Sequence, residues 1–324
     1  MADLGWMGVI FPKNYGGMAG NFLELIFLLE EMGKALVPGP FVYTTIAGYS
    51  LLRHGSEKQK EDILPGLTRG ELIIIPCLIA PDAVRGVIKI KEDSSFKDDR
   101  YLLSGTRLFV PFARSADYFL FESKTRDGTT LFLIGAENPD IALESIDTLA
   151  SDKQCELVLD RVPVSPSYVV GEKCKSGPII KEMQLLGALC ESAYILGLLE
   201  KALEMAVSHA KSRKQFGRPI GSFQAIQHQC ADMATEIDKI KFLTYQAAWK
   251  LSENIPADKD IHMAKAKASD ASRTVTILSI KIHGGLGISQ EYDLQLYFRR
   301  AKAAETAFGD GNAHREFVAR SLGL

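Results

Sequence analysis

Between residues 22 and 36 the apolar positions fall at helical spacing. Leu25, Leu28, Leu29 and Met32 make one stripe, which predicts a helix over 22–36. Gly33, and then Pro38, Gly39 and Pro40, interrupt the helical pattern beyond it. A shorter amphipathic piece runs over 57–67 and stops before Gly70. Residues 1–72 therefore read as helical. Beyond residue 73 the period becomes that of strands. Short β-type runs occur at 87–91, 101–103, 118–121, 130–134 and 156–160. The turn-forming pairs Asp127-Gly128 and Asn138-Pro139 divide them, as in a small antiparallel β-domain.

From about Lys181 the pattern is helical again. Residues 183–207 are apolar on most faces, as in a buried helix. Next come Phe223, Ile226, Cys230, Met233, Ile237, Ile240, Thr244, Ala247 and Leu251, spaced three and four apart. That spacing predicts one long helix packed in a bundle, and core packing accounts for these residues. Asn254, Ile255 and Pro256 end it, and Ala264, Ala266, Ala268 and Ala271 give the next helix a close-packing face. The expected fold class is α+β and multidomain. It has an N-terminal helical domain (1–72), a middle antiparallel β-domain (73–180) and a C-terminal four-helix bundle (181–324).

Composition fits a globular chain with a sizeable core: 46% of its 324 residues are hydrophobic and 24% charged. With 38 basic against 40 acidic residues, nothing points to nucleic acid or an anionic membrane. Cys77, Cys155, Cys174, Cys190 and Cys230 are scattered, without metal-ligand spacing, as expected for reduced thiols in the cytoplasm. No segment reads as long and apolar enough to span a bilayer.

Residues 212–224 stand out. A helix ends there, the chain turns through Gly217, Pro219 and Gly221, and a longer helix starts at Ser222. Arg213 and Arg218 flank the turn, with Phe216 between them. Such a rigid cationic corner suits a phosphate-bearing cofactor or a subunit contact. A solvated helix–helix turn fits these residues equally well. A second segment comes after an apolar helix: His283, Gly284, Gly285, Leu286 and Gly287, with Tyr297, Phe298, Arg299 and Arg300 after it.

Together these segments resemble the C-terminal half of the acyl-CoA dehydrogenase family. The family pattern Arg-x-x-Phe-Gly-x-x-x-x-x-Phe-Gln falls on Arg213, Phe216, Gly217, Phe223 and Gln224. Its Gly-Gly-x-Gly loop falls on Gly284, Gly285 and Gly287. The opening Leu4, Gly5, Trp6 and the later Tyr15, Gly16, Gly17 match the family's early segment. Family members carry further helices before that opening, so the resemblance implies an N-terminal domain incomplete at its start.

The resemblance implies α,β-dehydrogenation of an acyl-CoA thioester, with hydride transfer to FAD and electrons leaving to an electron-transfer flavoprotein. The α-proton is weakly acidic, so the reaction needs a carboxylate base in a dry cavity and hydrogen bonds to the thioester oxygen. FAD lies at a dimer interface within a tetramer, held partly by the neighbouring subunit. The residues carried over to that role are Arg213, Phe216 and Gln224, with backbone from Gly284 and Gly285. Lys281 stands where the family has a glutamine before the glycine loop, and Phe109 where it has a tryptophan against the flavin.

The pattern breaks at the chemistry. The family's glutamate position is Phe308, and the alternative base position on the earlier helix is Gly187, followed by Ala188. The flavin segment of the β-domain reads Ile79, Ala80, Pro81, Asp82, Ala83, Val84, Arg85, Gly86 rather than the family motif. Pro111 replaces a threonine and offers neither hydroxyl nor N–H. Asp310 replaces a cofactor-binding threonine. Asp310 and Glu191 are candidate substitute bases. Against this, Asp310 also suits a turn before a helix capped by Asn312, and Glu191 a buried ion pair. His314 and His283 rank behind these two as candidates, and His283 reads as structural. Three functions stay open: a self-sufficient dehydrogenase with a displaced base, a non-catalytic supporting subunit of a heterotetramer, or a relative with altered CoA-thioester chemistry.

Overall fold

The computed structural model describes residues 1–78, 93–125 and 128–324. The expected strand at 87–91, the flavin segment 79–86 and the first residue of the Asp127-Gly128 turn lie outside them. Contacts divide the chain into two compact units. The first comprises Met1–Gly20 and Gly39–Leu186; the second comprises Asn21–Pro38 and Gly187–Leu324.

The first unit begins with short 3-10 turns and two helices. Helix α2, Phe41–His54, follows Pro40 directly, and the sequence pattern had not singled it out. Helix α3, Glu57–Thr68, starts at a capping box: Ser56 Oγ accepts from Gln59 N and the Gln59 side chain accepts from Ser56 N. Its strands are β1 Ile74–Cys77, β2 Asp93–Lys97, β3 Arg100–Pro111, β4 Tyr118–Thr125, β5 Gly128–Gly135, β6 Ile141–Ile146, β7 Gln154–Val164 and β8 Val169–Val170. They form two four-stranded sheets, ordered β1-β4-β5-β8 and β2-β3-β7-β6. Pairing is antiparallel apart from β1, which runs parallel to β4. Along β3 Tyr101, Leu103, Gly105 and Arg107 are buried in alternation, the period expected of a strand with one face on a core. Leu103 and Leu157 from one sheet join Phe119, Phe121 and Phe132 from the other in a single cluster. Each such side chain contributes on the order of 1.5–3 kcal/mol by burial.

The second unit is helical. Helix α1, Phe22–Lys34, is the stripe read from the sequence, two residues shorter, with a capping box between Asn21 and Glu24. Helix α4, Gly177–Ser212, begins in the first unit and continues into the second. It is followed by α5 Gln224–Ser252, α6 Asp258–His283, α7 Leu294–Thr306 and α8 Gly311–Ser321. The predicted stripe of α5 is its inner face: Met233, Ile237, Ile240, Thr244 and Ala247 are buried, while Phe223 is the residue before the helix. Ala264, Ala266, Ala268 and Ala271 of α6 are buried as expected. Two glycines set the spacing of α1 on α4. A Cβ on Gly33 would collide with the Tyr194 carbonyl, and one on Gly197 with the Glu30 carbonyl.

One expectation is corrected. Helix α4 is long and apolar enough by composition to cross a bilayer, with a mean hydropathy of 1.2 over 18 residues. Yet 78% of that window is buried within the fold, which marks a core helix.

Candidate functional site

The cationic corner is a β-hairpin. Strands β9, Lys214–Gln215, and β10, Arg218–Pro219, pair antiparallel across the tip residues Phe216 and Gly217. Both tip residues have positive φ, 53° and 79°, the pattern of a two-residue type I′ turn. Glycine adopts that conformation freely; phenylalanine does so only under strain. The tip therefore holds Phe216 out, 91% exposed, its ring meeting Phe223 edge-on at 6.0 Å. Arg218 lies 4.2 Å over the Phe223 ring, a cation–π contact that braces one strand. Gly221 lets the chain pass close to α4, since a Cβ there would stand 3.0 Å from the Ala210 carbonyl. Arg213 is exposed and makes no ion pair among the described residues, and exposed Gln224 opens α5.

The glycine loop closes the same face. Gly284 ends α6 with φ 64°, and a Cβ on Gly284 or Gly285 would meet nothing within 4 Å. Their backbone borders open space, while Gly287 is packed against Ile280. Lys281 is exposed in the last turn of α6. Corner and loop are joined by a contact the sequence pattern did not signal. His209 of α4 stacks on His283 of α6, centroids 4.4 Å apart and planes 27° apart. Arg213 lies one helical turn after His209, its N–H bonded to the His209 carbonyl at 2.8 Å. His283 donates from Nδ1 to the Ser279 carbonyl at 2.8 Å, and its Nε2 lies 3.2 Å from the Tyr292 hydroxyl.

Phe308 and Gly187, the two positions to which the resemblance assigns a base, pack against each other. Phe308 has a positive φ of 56°, and its ring sits where a Cβ on Gly187 would be. The segment that carries it is anchored at three points. Buried Lys265 donates to the Ala304 and Glu305 carbonyls, at 3.1 and 2.8 Å, closing the end of α7. His314 Nε2 donates to the Phe308 carbonyl at 3.1 Å. Asp310 accepts from Ala313 N at 2.9 Å and caps α8. The cap is thus Asp310 rather than Asn312, whose side chain instead receives Arg315 at 2.7 Å. His262 and His314 meet Nδ1 to Nδ1 at 2.8 Å, so His262 donates and His314 accepts. Burial first, then the charges of Lys265 and His262, push His314 down to about 4. Burial also pushes the Lys265 ammonium down, against the charges of Glu191, Glu305 and Asp310. Glu191, itself buried, therefore lies in the field of Lys265.

Comparison with known proteins places this geometry. The acyl-CoA dehydrogenase C-terminal domain model matches residues 179–323, and the N-terminal domain model matches residues 1–71. A probable acyl-CoA dehydrogenase of Bacillus subtilis is 30% identical over 334 residues, covering 99% of this chain and 88% of that protein. The chain belongs to the acyl-CoA dehydrogenase family.

The butyryl-CoA dehydrogenase of Megasphaera elsdenii has the same fold, with a TM-score of 0.92 at 29% identity, covering 100% of this chain and 88% of that one. A chain of the ChsE4–ChsE5 complex from Mycobacterium tuberculosis superposes with a TM-score of 0.91 at 28% identity, covering 99% and 86%. Relatives of the chain are named as dehydrogenases and reductases of acyl-CoA thioesters. Against that chemistry the chain divides. On the second unit, a guanidinium without an ion pair among the described residues, bare glycine backbone and a projecting aromatic ring suit the diphosphate and adenine of a dinucleotide. On the first unit, Pro111 gives no donor for a flavin, and Phe109, on a bulge of β3 with φ 57°, is 54% exposed. At position 308 there is no carboxylate.

Lys265 and His209 are the site-region residues that sequence reasoning passed over. A signal existed for Lys265, the one charged residue between Ala264 and Ala266 on the buried stripe of α6, and it is 0% exposed. His209 stands four residues before Arg213, a spacing that shares a helical face.

Proposed function

We propose that this chain is the supporting subunit of a two-chain acyl-CoA dehydrogenase assembly. The assembly carries out α,β-dehydrogenation of an acyl-CoA thioester. The chain lends the partner's FAD site its Arg213 corner, with Phe216, Gln224, Lys281 and the Gly284–Gly285 backbone, and leaves proton abstraction to the partner. The observation that carries this reading is the Phe308 ring seated on Gly187. One packed contact fills both positions at which the family places its base. Of the candidate substitutes, Asp310 caps a helix, and buried Glu191 lies in the field of the Lys265 ammonium.

In such an assembly this chain's residues bind and orient. Arg213 would fork onto the dinucleotide's diphosphate, with Lys281 adding charge nearby. The glycine backbone would allow close approach, and the Phe216 tip would exclude water at the subunit contact. Bound FAD supplies the hydride acceptor, with an electron-transfer flavoprotein as the onward acceptor. That a solved relative pairs two different chains supports a heteromeric assembly, here a cytoplasmic tetramer. The three-domain division at residues 73 and 181 belongs to the same reading.

The test is co-purification. The chain expressed alone should be colourless and inactive, and should gain flavin absorbance with a related chain that keeps the glutamate. Arg213→Ala should lower flavin retained by that pair about tenfold or more, as for loss of a charge-assisted bidentate contact. A yellow protein from this chain alone, reducing a dye with an acyl-CoA, would overturn the supporting role.

A further inference from the structure

The His209–His283 stack has a use beyond packing. His283 is fixed, with both ring nitrogens facing hydrogen-bond partners. His209 is half-buried, and its ring nitrogens meet no hydrogen-bond partner among the described residues. The groups around it are His283 from the end of α6, with Tyr292 behind that ring, and Arg213 one turn along on its own chain. Among the described residues, burial, His283 and Arg213 are what act on its charge. An imidazole held flat by a stack, with free nitrogens beside a guanidinium without an ion pair among the described residues, is arranged to meet an anion.

We propose that His209 is a further anion-binding residue of the Arg213 corner, adding a second, proton-dependent contact to the diphosphate of a bound dinucleotide. The proposal rests on the reading of that corner as a diphosphate clamp. Burial, and then the neighbouring His283 and Arg213, hold His209 below its usual 6.5 in the ligand-free chain. An anion between His209 and Arg213 reverses the last of these effects, because it screens the guanidinium and attracts the imidazolium. Binding is therefore coupled to proton uptake and tightens as pH falls through that range. His283 keeps its ring in place throughout, so the stack orients His209 in either protonation state.

The test uses ADP as probe and calorimetric titration of the full chain between about pH 5.5 and about pH 8.5, a span that brackets histidine titration. Wild type should bind ADP about three- to tenfold more tightly at the acid end, the worth of one partly screened charge contact. His209→Phe keeps the stack and removes the proton, so it should bind as wild type does at the alkaline end and show no tightening in acid. His209→Gln checks that a loss of slope is not a peculiarity of the phenyl ring. A slope that survives in both variants overturns the proposal. Arg213→Ala separates the two readings. Weak binding at every pH in that variant supports the clamp. Wild-type binding in it, with the slope still dependent on His209, overturns the clamp and leaves the His209 contact standing. An absence of ADP binding at any pH, both by the wild-type chain alone and by that chain paired with a flavin-free partner, overturns both.

Discussion

Phe308 and Gly187 show how one residue decides what another must be. A helix interior ordinarily favours alanine over glycine by about 0.5–1 kcal/mol. At position 187 that preference is reversed, because the Phe308 ring fills the space a methyl would need. Gly187→Ala should therefore destabilise the chain by about 1–3 kcal/mol, the usual cost of overpacking. In a Phe308→Ala background the same change should become neutral or slightly stabilising. Urea unfolding of the four proteins measures the coupling, and additive effects would mean that the two positions do not touch. That residue 308 is a phenylalanine was legible from the chain. The mutual packing was not, because nothing in the local pattern around Gly187 reports a ring from so far along the chain.

At the scale of elements, α1, α4 and α5 are joined by a half-buried polar network. Glu30, 4% exposed, accepts from Tyr245 of α5 and pairs with Lys34 at 3.1 Å. Glu200 of α4 bridges Lys34 and Lys241 at 2.8 and 3.0 Å. Burial by itself would raise the Glu30 carboxyl, but the Tyr245 hydrogen bond and the cations around it win and hold it below its usual 4.5. A carboxyl lowered in the folded state contributes stability above its unfolded value, and loses it as pH falls through the folded one. Tyr245→Phe removes the first of the lowering contacts and raises the folded value. Acid unfolding should then begin at higher pH, with about 1–2 kcal/mol lost near neutrality, as for one buried hydrogen bond to a charge. Circular dichroism against pH checks the direction; an unmoved acid midpoint would mean that the hydroxyl does not support Glu30. The α5 stripe was legible because a strict three-four spacing has few other meanings. Helix α2 escaped notice because Pro38, Gly39 and Pro40 read as an ending, whereas Pro40 stands just before its first turn.

For the whole molecule the projecting hairpin matters most. A phenylalanine 91% exposed at positive φ keeps little within the chain beyond an edge contact with Phe223. Such strain, on the order of 1–3 kcal/mol, is retained where a binding surface needs the side chain. Phe216→Gly should leave the isolated chain as stable as before, or up to about 1 kcal/mol more stable. The same variant should assemble poorly with its partner by light scattering. Full assembly with the tip removed would show that the subunit contact lies elsewhere.

The sequence alone determined the strand and helix periods, the family motifs, and the identities at positions 308, 187 and 111. Each of these is a local property of residue type and spacing. The tertiary structure decided which of those residues meet. It stacked His209 on His283, buried Lys265 under the end of α7, sharpened a helix–helix turn into a hairpin, and pressed Phe308 into the gap at Gly187. These depend on burial and close approach between distant segments, which are set by how whole helices pack and leave no period along the chain.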